Sequence, residues 1–498
     1  VPGEVIVKFK DNTITEKMVI EGEVHGNFKK NMVAPNDGFF TLSNTLENFS
    51  VNRVKHLLTS QQKKRIKAPK LGSIVKLSSD KIKGLDKKKA YQETKDLIAD
   101  LNKNPEVEFA QPNWLKQIVF VPNDPFYHSK GTWGQSFLDL WGIHKIESSK
   151  AWDQSQGEGV VVAVSDTGVD YRHVDIKDNM WVNPGESGDK QNNGIDDDNN
   201  GFIDDVYGWD FATCSFFNYD TGECTKPKEP SNDPMDNLFH GTHVAGIIAA
   251  IGNNGQGIIG VAPKAKVMAL NGFAPGQGMG STFDLIGTII YAAENGARVI
   301  NASWGGEVDE DDKALKEVIH YIHDEKGVVF VAAAGNETED VGNEGYDGFS
   351  PANIRDVITV SAFDHNDKIA PFSNFGLKVD IAAPGGGDFA KGTNKNPYPN
   401  LYSILSLANS KAFGYIGLRS FVIAPDNANP ASCSYGAVRC YLRIAGTSMA
   451  APYVSGVAAL ILSQHPEFSP EQVRQAIRLG SNDVDIKGFD FNSGYGRI

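Results

Sequence analysis

The chain has 498 residues, 40% of them apolar and 22% charged, values ordinary for a globular protein with room for roughly two to four domains. No apolar run reaches the length of a membrane-spanning helix, and Val1 is followed by no signal-peptide pattern. The net charge of −14 is uneven: residues 1–120 carry 21 Lys+Arg and 14 Asp+Glu, and the rest 27 and 48, so the acidic body would repel a phosphate backbone and argues against a nucleic-acid partner.

The first part is read as a small α+β domain over residues 1–120. PGEVIVKFK and GSIVKLS alternate apolar and polar residues as half-buried strands do. AYQETKDLIADLNKNPEVEFAQPN reads as an amphipathic helix, a turn at Asn104-Pro105 and a strand at 106–110. The basic runs QQKKRIKAPK and KIKGLDKKKA lack interleaved aromatics and read as solvated loops or a helix face. Their charge attracts the acidic remainder. KQIVFVPNDPFYHSKGTWGQ, with two prolines and mixed polarity, is the candidate linker.

From Gly159 the pattern changes. GVVVAVSDTG, KVMALN, ARVINAS, GVVFVAAAGN and DVITVSAF are apolar runs separated by helical segments such as FDLIGTIIYAAENG and DDKALKEVIHYIHDEKG. Apolar strands alternating with helices imply a parallel sheet covered on both faces, an α/β three-layer domain over residues 121–498. Functional groups then lie beyond the carboxyl ends of the strands, where Asp166, Ser303 and Asn336 fall. Residues 385–443 form a long Gly-, Pro- and Asn-rich insertion. The cysteines form two close pairs, Cys214/Cys224 and Cys433/Cys440, in polar loops without zinc-site histidines. They read as short-loop disulfides of an oxidising compartment, the alternative being four free thiols.

In RIAGTSMAAP, Thr447 or Ser448 can be a helix cap, and Ser448 can instead be a nucleophile. Asp166 before Thr-Gly is by itself turn chemistry. In FHGTHVAG the pair His240 and His243 invites a metal but lacks the H-E-x-x-H arrangement. Asn336 after Gly335 can aim an amide at an oxyanion.

Taken together, DTG, HGTHVAG, AAAGN and GTSMAAP occur in the order Asp, His, Asn, Ser, and residues 121–498 resemble the subtilisin-like serine proteases. The resemblance implies Ser448 as nucleophile, His240 as general base and then acid, Asp166 as its orienting carboxylate, and Asn336 with the Ser448 N–H as oxyanion donors. It implies a peptide lying between Asn301-Ala302-Ser303-Trp304-Gly305-Gly306 and Gly276-Gln277-Gly278-Met279-Gly280, so Ser303, Trp304, Gly305, Gly278, Met279 and Gly280 are candidate substrate contacts. Tyr453 stands where the family usually has His. The first domain resembles the family's ferredoxin-like prodomain, a folding assistant and inhibitor, which makes the chain's own prodomain a partner beside protein or peptide substrates. Family spacing puts self-processing near Phe120–Val121. Ile118-Val119-Phe120 then points to an apolar residue before the scissile bond, whereas Glu337, Glu339, Asp340 and Glu344 favour a basic one. The family usually continues for another helix after GYGRI.

Calcium is the implied cofactor. NNGIDDDNNGFIDD has the oxygen-rich, glycine-turned character of a calcium loop, with Asp196, Asp198, Asn200, the Phe202 carbonyl and Asp205 as candidate ligands, the alternative being a solvated acidic turn. The family pattern implies a second site from Asp124, Asp175, the Asn254 and Gln256 side chains and the Ile251 and Ile258 carbonyls. The combined expectation is a secreted, calcium-stabilised serine endopeptidase with its prodomain. Its rivals are a narrow-specificity processing protease and a catalytically silent binding protein on the same fold.

Overall fold

A computed structural model describes residues 2–10, 37–58, 62, 65, 71, 73–115, 120–308, 312–342, 347–387, 403–409, 422–423, 433 and 438–498. Most of the basic run 61–70, most of the 385–443 insertion, and Ile118, Val119 and Glu344 lie outside the described residues. The chain divides into two units, Val1–Ile118 and Val119–Ile498.

In the first unit the alternation of PGEVIVKFK makes strand Glu4–Phe9, which buries Val5, Val7 and Phe9. It lies between Ile74–Ser78 and Val107–Pro112, antiparallel to both, and Arg53–His56 pairs on the outer side of Ile74–Ser78. Helices Asp37–Asn48 and Lys87–Lys103 supply Leu42, Leu46, Leu97 and Leu101 to the core. Asp86 caps the longer helix by accepting from Lys88 and Lys89 N–H, and Asn104-Pro105 ends it. Strand-helix-strand-strand-helix-strand in this order is a ferredoxin-like sheet.

The second unit is built on seven parallel strands. Across the sheet they run Val379–Pro384, Val357–Phe363, Val329–Ala333, Val299–Ala302, Val161–Asp166, Lys266–Asn271 and Gly208–Asp210. Nearly every residue of the central strands is buried, which is what a sheet covered on both faces requires. Helices His240–Ala249 and Thr447–Gln464 cover one face, and Thr282–Glu294 and Lys313–Asp324 the other. After Lys266–Asn271 the chain crosses to the far side of Val161–Asp166, so the switch in strand order falls between Val161–Asp166 and Val299–Ala302. A crevice opens at such a point.

The described part of the insertion is a small antiparallel sheet of Ile404–Ala408, Cys440–Ile444 and Val422–Ile423. Both cysteine pairs are bonded, Cys214 to Cys224 and Cys433 to Cys440. No helix among the described residues is long and apolar enough to cross a membrane.

Candidate active site

The crevice holds a cavity of about 240 Å³ lined by Asp166, His240, Ser303, Asn336 and Ser448, with Trp304, Gly305 and Gly278 on its walls. Asp166 ends its strand fully inside the protein. Its Oδ1 and Oδ2 lie 2.8 and 3.0 Å from His240 Nδ1, and the Thr167 N–H holds Oδ1 at 2.7 Å. Gly241 must be glycine, since a Cβ there would fall 2.1 Å from the Gly168 carbonyl. Burial pulls the His240 pKa down, but the Asp166 charge and bond and the Asp236 charge outweigh it, so the net shift is upward.

Asp236 was missed in the sequence because a lone acid in a polar loop carries no signal. It is buried and gathers the region around the histidine. Thr167 donates to its Oδ1 at 2.9 Å, and the Thr242 N–H and hydroxyl donate to Oδ2 at 3.0 and 2.6 Å. Gly241 N–H in turn donates to Thr167 Oγ1 at 3.0 Å. The strand end and the helix start are thereby tied together, and burial raises the Asp236 pKa to about 6. His243 is a buried structural residue. Its Nε2 lies 3.2 and 3.0 Å from the Ile404 and Leu442 carbonyls of the insertion sheet, and burial pushes its pKa down to about 3.

Neither Thr447 nor Ser448 caps its helix; Gly446 occupies the cap position without a side-chain bond. Ser448 is the second helical residue, and its hydroxyl donates to the Ser303 carbonyl at 3.0 Å. Pro452 lies four residues on and has no N–H for the Ser448 carbonyl. The Ser303 hydroxyl takes that acceptor instead, at 2.8 Å. Asn301 donates to Ser303 Oγ at 2.9 Å and Ser455 donates to Asn301 at 2.8 Å, completing a buried chain behind the serine. Asn336 Oδ1 accepts from the Thr447 N–H at 2.9 Å and the Thr447 hydroxyl lies 3.1 Å away, which leaves the amide NH₂ as its remaining polar end. Tyr453 is buried against Gly142, where a Cβ would fall 2.1 Å from the phenol oxygen.

Phe349 also lines the cavity. Its ring edge would lie 2.4 Å from a Cβ on Gly305 and 2.9 Å from one on Gly335, so both glycines admit the ring. Glu337 stands at the rim, accepting from Asn336 N–H at 2.6 Å and Asn374 at 2.9 Å. Glu339 and Asp340 are exposed. On the other wall Gly278 lines the cavity, and the Met279 carbonyl accepts from Ala274 N–H at 2.8 Å; Gly280 packs so closely on Gly272 that a Cβ would meet its carbonyl at 2.4 Å. Phe120 sits edge-on to Trp152 with its N–H on Asp153 at 2.8 Å, and Val121 is 58% exposed.

Two carboxylate clusters lie outside the cavity. In the first, Asp196 and Asp198 converge with Glu186, a residue the sequence reading did not include. Glu186 is buried with Oε2 lacking any partner, and burial raises its pKa. Asp205 accepts from Asn183 at 2.7 Å, from Asn200 at 2.9 Å and from Tyr291, while the Asn200 side-chain Oδ1 accepts from Phe202 N–H at 2.8 Å. In the second, Asp124 and Asp175 are both fully buried. Asp124 accepts from Asn253 N–H at 2.7 Å, and Asp175 from the Asn254 amide at 2.6 Å and Ile258 N–H at 2.9 Å. Burial raises their pKa values to about 6 and about 7. Ile251 joins through its N–H, on the Asp175 carbonyl at 2.8 Å, and Gln256 through its N–H on Asn254, its side chain being exposed.

Residues 157–496 match the subtilase family. The chain is 32% identical over 403 residues to the thermophilic serine proteinase of Bacillus sp. strain AK1, covering 81% of this chain and 74% of that one. It is 30% identical over 369 residues to thermitase of Thermoactinomyces vulgaris, covering 74% and 94%. Among solved structures, a protease from Pseudoalteromonas arctica superimposes with a TM-score of 0.53 at 27% identity, over 76% of this chain and 96% of that chain. With a family match along nearly the whole second unit and relatives aligned over most of its length, this chain belongs to the subtilase family and is a subtilisin-like serine endopeptidase.

Proposed function

We propose that Ser448 is the nucleophile, His240 the base and acid, Asp166 the group that orients and charges the imidazole, and Asn336 the side-chain oxyanion donor. The observation that carries this reading is the double contact of buried Asp166 with His240 Nδ1 in the cavity that Ser448 and Asn336 also line. It fixes the tautomer that leaves Nε2 unprotonated and able to accept the serine proton. Substrate entry turns the Ser448 hydroxyl from the Ser303 carbonyl toward His240; such bonds tighten only in the complex. Attack gives a tetrahedral oxyanion facing the Asn336 NH₂ and the Ser448 N–H, a second-position helix amide without an intrahelical acceptor. The protonated histidine passes its proton to the leaving amine, and water activated by the same histidine hydrolyses the acyl-enzyme. The substrate peptide runs between segments 301–306 and 276–280. A serine-directed fluorophosphonate tests the assignment. Mass spectrometry is expected to find one label per chain, on the peptide containing Ser448, and none on Ser448→Ala; a label elsewhere, or none on the parent, would sink it.

Calcium fits both carboxylate clusters. The orphaned Glu186 Oε2 and the fully buried Asp124 and Asp175, none with a Lys or Arg ion-pair partner among the described residues, carry a desolvation cost that a hard cation offsets. Glu186, Asp196 and Asp198 would hold one ion, with Asn200, Phe202 and Asp205 shaping the loop, and Asp124, Asp175 and the 251–258 loop another. Each ion supplies structural charge neutralisation and takes no part in bond cleavage. Chelation is expected to lower the melting temperature of the Ser448→Ala protein, which cannot digest itself. A cation at a thousand times its Kd contributes about 4 kcal/mol per site, a shift on the order of 10 °C. Superimposable calorimetric melts with calcium and with chelator would exclude the assignment.

The first unit is read as the prodomain, folding assistant and inhibitor of the second, released by cleavage near Phe120–Val121. The exposed Val121 shortly after the unit boundary supports that position. The two disulfides support secretion into an oxidising compartment.

A further inference from the structure

The segment Cys214–Pro227 is a hairpin whose strands, Cys214–Phe217 and Cys224–Pro227, are joined by the Cys214–Cys224 bond. Asn218 closes its turn, donating to the Glu223 carbonyl at 2.9 Å and accepting from Gly222 N–H at 2.8 Å. Its first strand is held by the segment that walls the active-site cavity, and the residue just before the strand is held by the helix Thr282–Glu294 that follows that segment. The Gln277 amide binds the backbone of one residue from both ends: Oε1 accepts from Phe217 N–H at 2.6 Å and Nε2 donates to the Phe217 carbonyl at 2.8 Å. A primary amide bonded in this way imitates a neighbouring peptide unit, so Gln277 extends the hairpin like a one-residue third strand. Farther along, buried Asp284 accepts from the Thr213 N–H at 3.1 Å and its hydroxyl at 3.0 Å.

The wall around Gln277 is glycine-rich. Gly276, Gly278 and Gly280 flank Gln277 and Met279, and such a stretch loses much backbone freedom when a peptide aligns along it. Anchoring at Gln277 removes part of that cost before binding. Beyond the clamp the hairpin carries exposed aromatics, Phe216 at 41% and Tyr219 at 66%, perpendicular to each other with centroids 6.5 Å apart. Nothing in the hydrolytic chemistry uses them.

We propose that the disulfide-closed hairpin 214–227 is a substrate-recognition element of this protease. Gln277 transmits its rigidity to the glycine wall, and Phe216 and Tyr219 receive an apolar side chain of an extended polypeptide, distant from the residue seated at Ser448. The proposal rests on the reading that the 276–280 wall flanks the substrate. Gln277 is a positioning residue and Tyr219 a contact residue. The partner is an unfolded or extended polypeptide.

The test compares a single-residue activated ester, which fills only the cavity at Ser448, with fluorogenic decapeptides bearing leucine or serine at each outlying position in turn. Gln277→Ala is expected to raise KM for the decapeptides about tenfold with little change in kcat, and to alter kcat/KM for the ester less than about twofold. Tyr219→Ala, an exposed change that leaves the clamp intact, is expected to erase the leucine-over-serine preference at one outlying position. Equal effects on ester and decapeptide, or no effect of either variant, would overturn this proposal alone. A parent enzyme inert even toward the ester would overturn the active-site assignment as well.

Discussion

Asp166→Asn is expected to lower kcat by about 10⁴-fold while leaving substrate binding nearly intact. Both carboxylate oxygens contact His240 Nδ1, and Oδ1 is already held by the Thr167 N–H. An amide NH₂ in this position would face Nδ1 as a donor and favour the tautomer with the proton on Nε2, where the imidazole cannot accept from Ser448. The pH profile supplies a second readout. Catalysis needs neutral His240, so activity rises as pH rises through its pKa. Burial lowers that pKa, but the Asp166 charge and bond and the Asp236 charge outweigh burial and hold it above the ordinary value. Removing the Asp166 charge lowers it, so the acid limb of kcat/KM is expected to move to lower pH in the variant. A loss of less than about tenfold, or a limb moving upward, would contradict the role.

Asn336→Ala is expected to cost about 10² to 10³ in kcat with KM little altered, because the lost donor serves an oxygen that becomes negative only during attack. The grip of Thr447 on Asn336 Oδ1 gives this prediction an internal control. Thr447→Val removes the hydroxyl that lies against Asn336 and accepts from Gly335 N–H at 3.1 Å, but it keeps the donor itself. Its kcat should fall between those of the parent and Asn336→Ala. Equal rates for Asn336→Ala and the parent, measured on one peptide at saturation, would remove Asn336 from the oxyanion site.

The sheet was legible because its strands are buried on both faces: runs such as VVAVSD and VFVAA are apolar without interruption, and their helices carry the complementary pattern. Asp166, His240, Asn336 and Ser448 each had a structural reading alone; the order of DTG, HGTHVAG, AAAGN and GTSMAAP is what pointed to one site, and the four line one cavity. What was hidden depends on distance in sequence. Asp236 and Glu186 are single acids in polar loops, and their significance comes from what folding brings around them, Thr167 and Thr242 for one, Asp196 and Asp198 for the other. The 385–443 stretch read as an irregular excursion, yet its Ile404–Ala408 and Cys440–Ile444 strands pair and hold His243 by two carbonyls. Antiparallel pairing across some thirty-odd residues of Gly-, Pro- and Asn-rich chain leaves little local periodicity to read. Of the alternatives at Thr447 and Ser448, capping is not the one realised, since Gly446 takes the cap and the Ser303 carbonyl takes the Ser448 hydroxyl.

Helix Thr447–Gln464 packs against the strands Val299–Ala302, Val329–Ala333, Val357–Phe363 and Val379–Pro384 and against helix His240–Ala249. It is also the element that brings Ser448. A ribosome delivers the chain from its amino end at about 5–20 residues per second, so Asp166, His240 and Asn336 all emerge long before the helix that covers their sheet. Until that helix docks, a large apolar face lies open and no serine is in place. On the proposed role of Ser448, the nascent protein is most exposed to proteolysis while it has no cutting power of its own, and one docking event both closes the face and completes the active site.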